Sequence, residues 1–156
     1  MKSLGNFPDP FIAEIAGQPG ALRRAAAGLH DQRSVLEEMT SLTDRRTVVL
    51  TGMGSSYDAC YPAVADLAAA GVAAVMVDTA ELLHFRTGML GGDTVLVIVS
   101  QSGESAEVVR LAEDLGRRDE RPTVVAITNG TTNSLWAWAD RAIDTTPSSP
   151  TSGPVP

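Results

Sequence analysis

The chain has 156 residues, of which 44% are hydrophobic and 20% are charged, enough for one compact domain with its own core. Its net charge of −7 argues against nucleic acid or an anionic membrane as partner, because basic surfaces bind those partners. No apolar segment reaches the roughly 18 residues of a membrane helix, and the start lacks a leader pattern, so we expect a cytoplasmic protein. With one cysteine, Cys60, and two distant histidines, we predict no disulfide and no bound metal.

The first third of the chain has a helical pattern. Apolar residues spaced by three, four and seven predict a helix over residues 19–42, with Pro19 in its first turn, where a missing N–H costs nothing. A shorter helix is predicted over "DPFIAEIAG", residues 9–17. We therefore expect residues 1–45 to form helices that pack on the domain or lead into it.

Four apolar runs and a weaker fifth follow, separated by helical patterns at 57–70, 79–86, 104–117 and 134–140. None of the four alternates polar with apolar residues, so each is predicted to be buried on both faces of a parallel sheet. The alternation predicts an α/β fold for residues 46–145: a three-layer α/β/α sandwich with a flavodoxin-like, five-stranded parallel sheet. The predicted strands are "TVVL" (47–50), "AAVMV" (73–77), "TVLVIV" (94–99), "TVVAI" (123–127) and "RAID" (141–144).

The first predicted strand ends in "TGMGSS", residues 51–56, directly before a helix. Gly54 permits a tight turn and a close approach of the backbone to a ligand. The hydroxyls of Ser55 and Ser56, together with the free N–H groups at the helix start, favour an anion. The competing interpretation is that Ser55 or Ser56 only caps the helix.

The third predicted strand ends in "SQSGES", residues 100–105, and repeats this arrangement of apolar run, hydroxyls and helix. Two neighbouring strand ends would then line one crevice, and a phosphate fits because hydroxyls and amides can hold it without arginine. Gln101 is predicted to face the crevice. Glu104 either stabilises the next helix as a first-turn acid, which we favour, or accepts a hydrogen bond from a sugar hydroxyl. The candidate residues here are Ser100, Gln101, Ser102, Gly103 and Ser105.

A third polar strand end, "TNGTTNS", covers residues 128–134, and its Thr131 and Ser134 are possible additional ligands. Its Gly and Asn are ordinary turn residues, however, which favours a plain turn. We predict that His84 is packed or lies in an interface, since its neighbours are apolar. Trp136 and Trp138 are interpreted as core or interface anchors.

A dinucleotide site is the weaker alternative. Gly52, Gly54 and the acidic Asp78 resemble part of the NAD(P) fingerprint. Tyr57 stands where the third glycine belongs and would hinder close packing of helix and strand. We therefore predict that the chain uses no cofactor.

Together, "GMGSSYDA" and "SQSGES" resemble the sugar isomerase (SIS) domain family, and within it the first SIS domain of the isomerase part of glucosamine-6-phosphate synthases. The segments "EIAGQPGAL", "DTAELLHF" and "ITNGTTNSLWAWAD" extend the resemblance over residues 11–145. It implies a hexose or hexosamine 6-phosphate ligand, with Ser100, Ser102 and Ser105 nearest the phosphate. Ser55 and Ser105 stand where the family usually has Thr, and Met53 replaces a small residue.

The C-terminal "TTPSSPTSGPVP" is dominated by Pro, Ser, Thr and Gly, so residues 146–156 are predicted to form a flexible tail or a severed linker. Family enzymes carry two such domains, and the resemblance places the glutamate, lysine and histidine that open the sugar and move protons in the second domain and the C-terminal tail. We therefore expect catalysis to need a second SIS lobe, from a partner or a homo-oligomer, and assign no catalytic residue. The alternative is a non-catalytic phosphosugar sensor or assembly subunit.

Overall fold

The computed structural model describes residues 10–42 and 47–146, in which five parallel strands form one sheet of order β2-β1-β3-β4-β5. This is the flavodoxin-like α/β topology, so the predicted fold class is confirmed. The order reverses between β1 and β3, which places their carboxyl ends side by side at a crevice. The predicted tail lies outside the described residues except for Thr146. The strands are β1 (Thr47–Gly52), β2 (Ala74–Asp78), β3 (Thr94–Ser100), β4 (Thr123–Thr128) and β5 (Arg141–Asp144).

Helices cover both faces of the sheet, and each face has its own apolar cluster. One cluster joins the sheet to the helices after β2, β3 and β4 through residues such as Leu82, Leu111 and Leu135. The other joins it to the helices before and after β1 through Met39 and Cys60. The helices are α1 (Pro10–Asp31), α2 (Arg33–Leu42), α3 (Ser55–Asp58), α4 (Cys60–Ala69), α5 (Thr79–Glu81), α6 (Ala106–Gly116) and α7 (Ser134–Trp138), with a π-helical turn at Leu82–Arg86 and a 3-10 turn at Thr87–Met89.

The N-terminal helices differ from the prediction. Helix α1 continues through Pro19, and the break comes instead at Gln32, whose N–H donates to the carbonyl of Leu29 three residues back. The physical reason lies in β5: the side-chain amide of Gln32 donates to the carbonyl of Asp144 at 2.8 Å and accepts from its N–H at 2.9 Å. The predicted single helix over 19–42 is therefore wrong.

Burial of the strands follows their place in the sheet. Strands β1, β3 and β4 are buried almost throughout, as predicted for a sheet covered on both faces. Strand β2 is at the edge of the sheet, and its Val75 is 39% exposed, so the prediction of burial on both faces is wrong for this strand. An edge strand has a neighbouring strand on one side only, so it is less completely covered than a central strand. An apolar run does not show whether its strand will lie at the edge or in the centre of the sheet.

Candidate functional site

The turn after β1 is built by two glycines with different roles. A Cβ on Gly52 would lie 2.7 Å from the carbonyl carbon of Ser56 and 2.8 Å from the backbone nitrogen of Tyr57, so only glycine lets α3 start this close to the strand. Gly54 has φ 54°, a left-handed conformation, and is itself the N-cap of α3. Ser55 and Ser56 are thus the first residues of the helix rather than its caps, which leaves the capping interpretation wrong.

The serine loop, residues 100–105, begins at the last residue of β3 and leads into α6. The Oγ of Ser100 accepts a hydrogen bond from the Gly103 N–H at 3.2 Å, and the Oγ of Ser102 accepts one from the Glu104 N–H at 3.2 Å. Each oxygen is therefore used as an acceptor within the loop, and its hydrogen is left for donation to a ligand. Ser105 occupies the N-cap position of α6 without a side-chain capping bond.

These two turns enclose a cleft of about 210 Å³ between the ends of β1 and β3. All six side chains predicted to surround a phosphosugar line it, whereas the predicted ligands Gly54 and Gly103 are not among its lining residues. Among the described residues, its lining holds no acidic, basic or thiol side chain, so any anion here would meet only hydroxyl, amide and backbone donors and the positive end of the α6 dipole. The lining consists of Met53, Ser55, Ser56, Val99, Ser100, Gln101, Ser102, Ser105 and Val108.

Glu104 does not line the cleft, and its carboxylate points to α7. Its Oε1 accepts from the Ser134 N–H at 2.6 Å, and its Oε2 accepts from the Ser134 hydroxyl at 2.9 Å. Helix α6 begins at Ala106, so Glu104 is not in its first turn. The favoured prediction, that Glu104 stabilises the helix after β3 as a first-turn acid, is therefore wrong, and its carboxylate bonds the first residue of α7 instead. The predicted ligand Ser134 is bonded to Glu104 instead of facing the cleft.

The turn after β4, residues 129–133, is organised by Asn133, a residue that is not among the predicted ligands. Its side-chain amide donates to the Thr128 hydroxyl at 3.1 Å and to the Gly130 carbonyl at 3.0 Å, and its Oδ1 accepts from the Trp136 N–H at 2.9 Å. A Cβ on Gly103, which has φ 65°, would overlap the Asn133 side chain. An Asn directly before a short helical pattern was the N-cap signal available in the sequence.

Asp144 supports the same turn from β5. It accepts from the Gly130 N–H at 2.8 Å and from the Thr146 N–H at 2.7 Å. Burial alone would raise the pKa of Asp144, but the hydrogen bonds from Thr146 and Gly130 outweigh it and lower the pKa. Thr131 in this turn is exposed and lies outside the cleft lining, and its role as a ligand stays a prediction.

A family model described as the SIS domain matches residues 41–155, about three quarters of the chain. The chain belongs to the SIS domain family. The matched region includes both serine-rich turns, after β1 and after β3, and the predicted resemblance to this family is confirmed.

Among curated relatives, this SIS domain is 32% identical over 97 residues to an Escherichia coli arabinose 5-phosphate isomerase KpsF, covering 62% of the chain and 30% of that protein. It is 29% identical over 120 residues to the glutamine–fructose-6-phosphate aminotransferase of Pyrococcus horikoshii, covering 74% of the chain and 20% of the relative. The chain thus spans less than a third of the length of these relatives.

Two solved structures show the same fold. An E. coli CFT073 protein in complex with arabinose 5-phosphate has a TM-score of 0.73 at 20% identity, with 92% of this chain and 77% of that chain covered. The C-terminal domain of glucosamine-fructose-6-phosphate aminotransferase from Francisella tularensis has a TM-score of 0.71 at 21% identity, covering 95% of this chain and 42% of that chain.

Other predicted residues of the SIS domain lie away from the cleft. His84 is exposed, and its ring lies edge-on to the Phe85 ring, with 6.2 Å between centroids. It is therefore not packed within the described residues, and its interface role stays a prediction. Trp138 packs against the core, as expected of an anchor. The Asp78 carboxylate caps α5 by accepting from the Ala80 N–H at 2.9 Å, a structural use that does not require a nucleotide.

Two facts bear on membranes and metals. In residues 10–42 and 47–146, no helix is long and apolar enough to cross a bilayer. The same residues bring together no group of three or more metal-ligating His, Cys, Asp and Glu side chains. Burial raises the pKa of the Cys60 thiol, so this thiol is less readily ionised. The thiol donates a hydrogen bond to the Ser56 carbonyl at 3.3 Å.

Proposed function

We propose that this SIS domain binds a hexose or hexosamine 6-phosphate in the cleft between β1 and β3. The phosphate lies against Ser100, Ser102 and Ser105 at the start of α6, and the sugar extends towards Ser55, Ser56 and Gln101. The observation that carries this proposal is the convergence of all six polar side chains on one cleft whose lining has no charge. Several hydrogen bonds from hydroxyls and amides compensate a phosphate for its lost hydration.

The comparisons support a sugar phosphate as the class of ligand. The E. coli CFT073 neighbour is described in complex with arabinose 5-phosphate, and the curated relatives include arabinose 5-phosphate isomerases and fructose-6-phosphate aminotransferases. Because those relatives are far longer than the matched region, the choice of sugar and the reaction are both part of the proposal.

Catalysis by this family's route, ring opening and proton transfer between C1 and C2, needs an acid and a base beside the sugar. The described cleft lining contains neither. We therefore propose that a second SIS lobe, supplied by a homo-oligomer or by another chain, completes the site, and that this domain provides recognition of the phosphate and the sugar hydroxyls.

A second candidate function is a phosphosugar sensor without catalysis. The uncharged cleft favours it, and so does the likeness to the sugar isomerase domain of an RpiR transcription factor from Sphaerobacter thermophilus, with a TM-score of 0.66 over 84% of this chain. The two functions share the ligand and differ in turnover.

The test is a thermal-shift and calorimetric panel of the purified chain with fructose 6-phosphate, glucose 6-phosphate, glucosamine 6-phosphate, arabinose 5-phosphate and inorganic phosphate. A ligand at a hundred times its Kd should stabilise the fold by about 2.7 kcal/mol. We expect a sugar-specific shift that disappears in Ser102→Ala but survives in Ser41→Ala, a matched serine on α2 away from the cleft. No heat of binding at millimolar concentration would refute the proposal, and turnover by the chain alone would exclude the sensor.

A further inference from the structure

The serine loop is held from behind by the end of β4 and the turn that follows it. The Gly103 carbonyl accepts from the Leu135 N–H at 3.2 Å, and the Gln101 carbonyl accepts from the Asn129 N–H at 3.1 Å. The Glu104 carboxylate adds two bonds, one from the N–H and one from the hydroxyl of Ser134. The loop conformation therefore depends on residues about thirty positions further along the chain.

The position of Glu104 makes its orientation significant. It stands in the chain between Ser102 and Ser105, so fixing its side chain limits the movement of both hydroxyls that are expected to meet the phosphate. A carboxylate free to turn towards the cleft would repel an anion. Its two short bonds to Ser134 keep the charge at the N-terminal end of α7, where the helix dipole also favours it.

We propose that Glu104 is a positioning residue: its paired hydrogen bonds to Ser134 hold the serine loop in the conformation that binds phosphate. This inference rests on the proposed function, since it concerns the same cleft. The affinity for a sugar phosphate then depends on two side chains that do not touch the ligand. Preorganisation of this kind lowers the ordering cost at the moment of binding.

The substitutions at Glu104 separate positioning from charge. Glu104→Ala removes both the bonds and the negative charge. Glu104→Gln removes only the charge, because an amide oxygen can still accept from the Ser134 N–H and an amide N–H can donate to the Ser134 hydroxyl. If Glu104 acted only by repelling the ligand, both variants would bind more tightly. If it positions the loop, they differ.

The experiment measures the Kd for fructose 6-phosphate and for inorganic phosphate by calorimetry on the full chain. We expect Glu104→Ala to weaken binding about tenfold, the size of effect associated with one charge-assisted hydrogen bond, and Glu104→Gln to bind like the wild type or more tightly. Ser134→Ala should weaken binding less. The double variant Glu104→Ala/Ser134→Ala should be no weaker than Glu104→Ala alone, because the pair acts as a unit.

Unchanged or tighter binding by Glu104→Ala would overturn the positioning role, as would a loss in Glu104→Gln equal to that in Glu104→Ala. Amide hydrogen exchange at Gly103 provides a second readout, which should speed up in Glu104→Ala while the amides of β3 stay protected. Wild-type binding that is lost in Ser102→Ala but unchanged in Glu104→Ala overturns this inference alone. Absence of wild-type binding overturns the proposed function and this inference with it.

Discussion

Asp140, directly before β5, accepts hydrogen bonds from both a side chain and the backbone. The Arg121 guanidinium donates to both of its carboxylate oxygens, at 2.6 and 2.8 Å, and the Val124 N–H donates at 2.8 Å. The hydrogen bond from Arg121 lowers the pKa of Asp140 most, burial partly opposes this, and the bond from Val124 lowers the pKa further. The pair ties the segment before β4 to the turn that leads into β5.

This pKa shift predicts a pH-dependent effect of Asp140→Asn. A carboxyl group whose pKa is lower in the folded chain than its ordinary value of about 3.9 stabilises the fold fully above that value and loses this contribution as the pH falls through the folded pKa. The side chains of Arg121 and Asp140 are 37% and 30% exposed, so water screens this ion pair. We therefore expect Asp140→Asn to lower the free energy of unfolding by about 1–2 kcal/mol at pH 7. The difference from wild type should shrink as the pH falls below about 4.

The measurement is the free energy of unfolding in urea between pH 3 and pH 7. Glu37→Gln is the matched control, since the Arg33–Glu37 ion pair is 71% and 67% exposed and should contribute far less. A difference between Asp140→Asn and wild type that stays constant down to pH 3 would show that the carboxylate charge is not what stabilises this turn.

At the scale of elements, Gln32 joins the N-terminal helices to the sheet. Its side chain pairs with both backbone groups of Asp144 at the free edge of β5, in the manner of one more strand residue. Gln32→Ala should destabilise the fold by about 1–2 kcal/mol, because two hydrogen bonds at a partly buried edge are lost. Hydrogen exchange at the Asp144 amide should be faster in Gln32→Ala than in the wild type. Gln18 is an exposed glutamine on α1, and the control variant Gln18→Ala should leave this exchange rate unchanged. Equal protection of that amide in both variants would contradict the role.

The sequence predicted the elements well where a local pattern decides them. The four predicted apolar runs form four strands, and the predicted glycines and serines lie in the turns after β1 and β3. These features could be predicted because the signals for a strand, a turn and a helix start each lie within about ten consecutive residues. The break at Gln32 and the contact between Glu104 and Ser134 were missed, since each depends on a partner 112 or 30 residues away. Tertiary contacts of this kind override local helix propensity and leave no periodic pattern.

At the scale of the whole molecule, the chain and its proposed phosphosugar ligand both carry negative charge and therefore repel each other. The net charge is −7, and the cleft lining in the described residues has no basic side chain to offset it. Recognition of a phosphate would then rest on short-range hydrogen bonds and the α6 dipole, while the distant charges of the protein repel the ligand on approach.

This balance predicts an unusual dependence on salt. Sites that hold phosphates with lysine or arginine weaken as salt rises, because the attraction is screened. Here screening removes a repulsion, so raising KCl from about 0.01 to about 0.15 M, which shortens the Debye length from about 30 to about 8 Å, should leave the Kd for fructose 6-phosphate unchanged or lower it up to a few-fold. Calorimetry in a buffer free of phosphate and sulfate, which would compete for the cleft, measures this directly. Glu104→Gln, which keeps the cleft lining and removes one negative charge beside it, should show a smaller salt effect than the wild type. Binding that weakens fivefold or more with salt would mean that basic residues outside the described lining hold the anion.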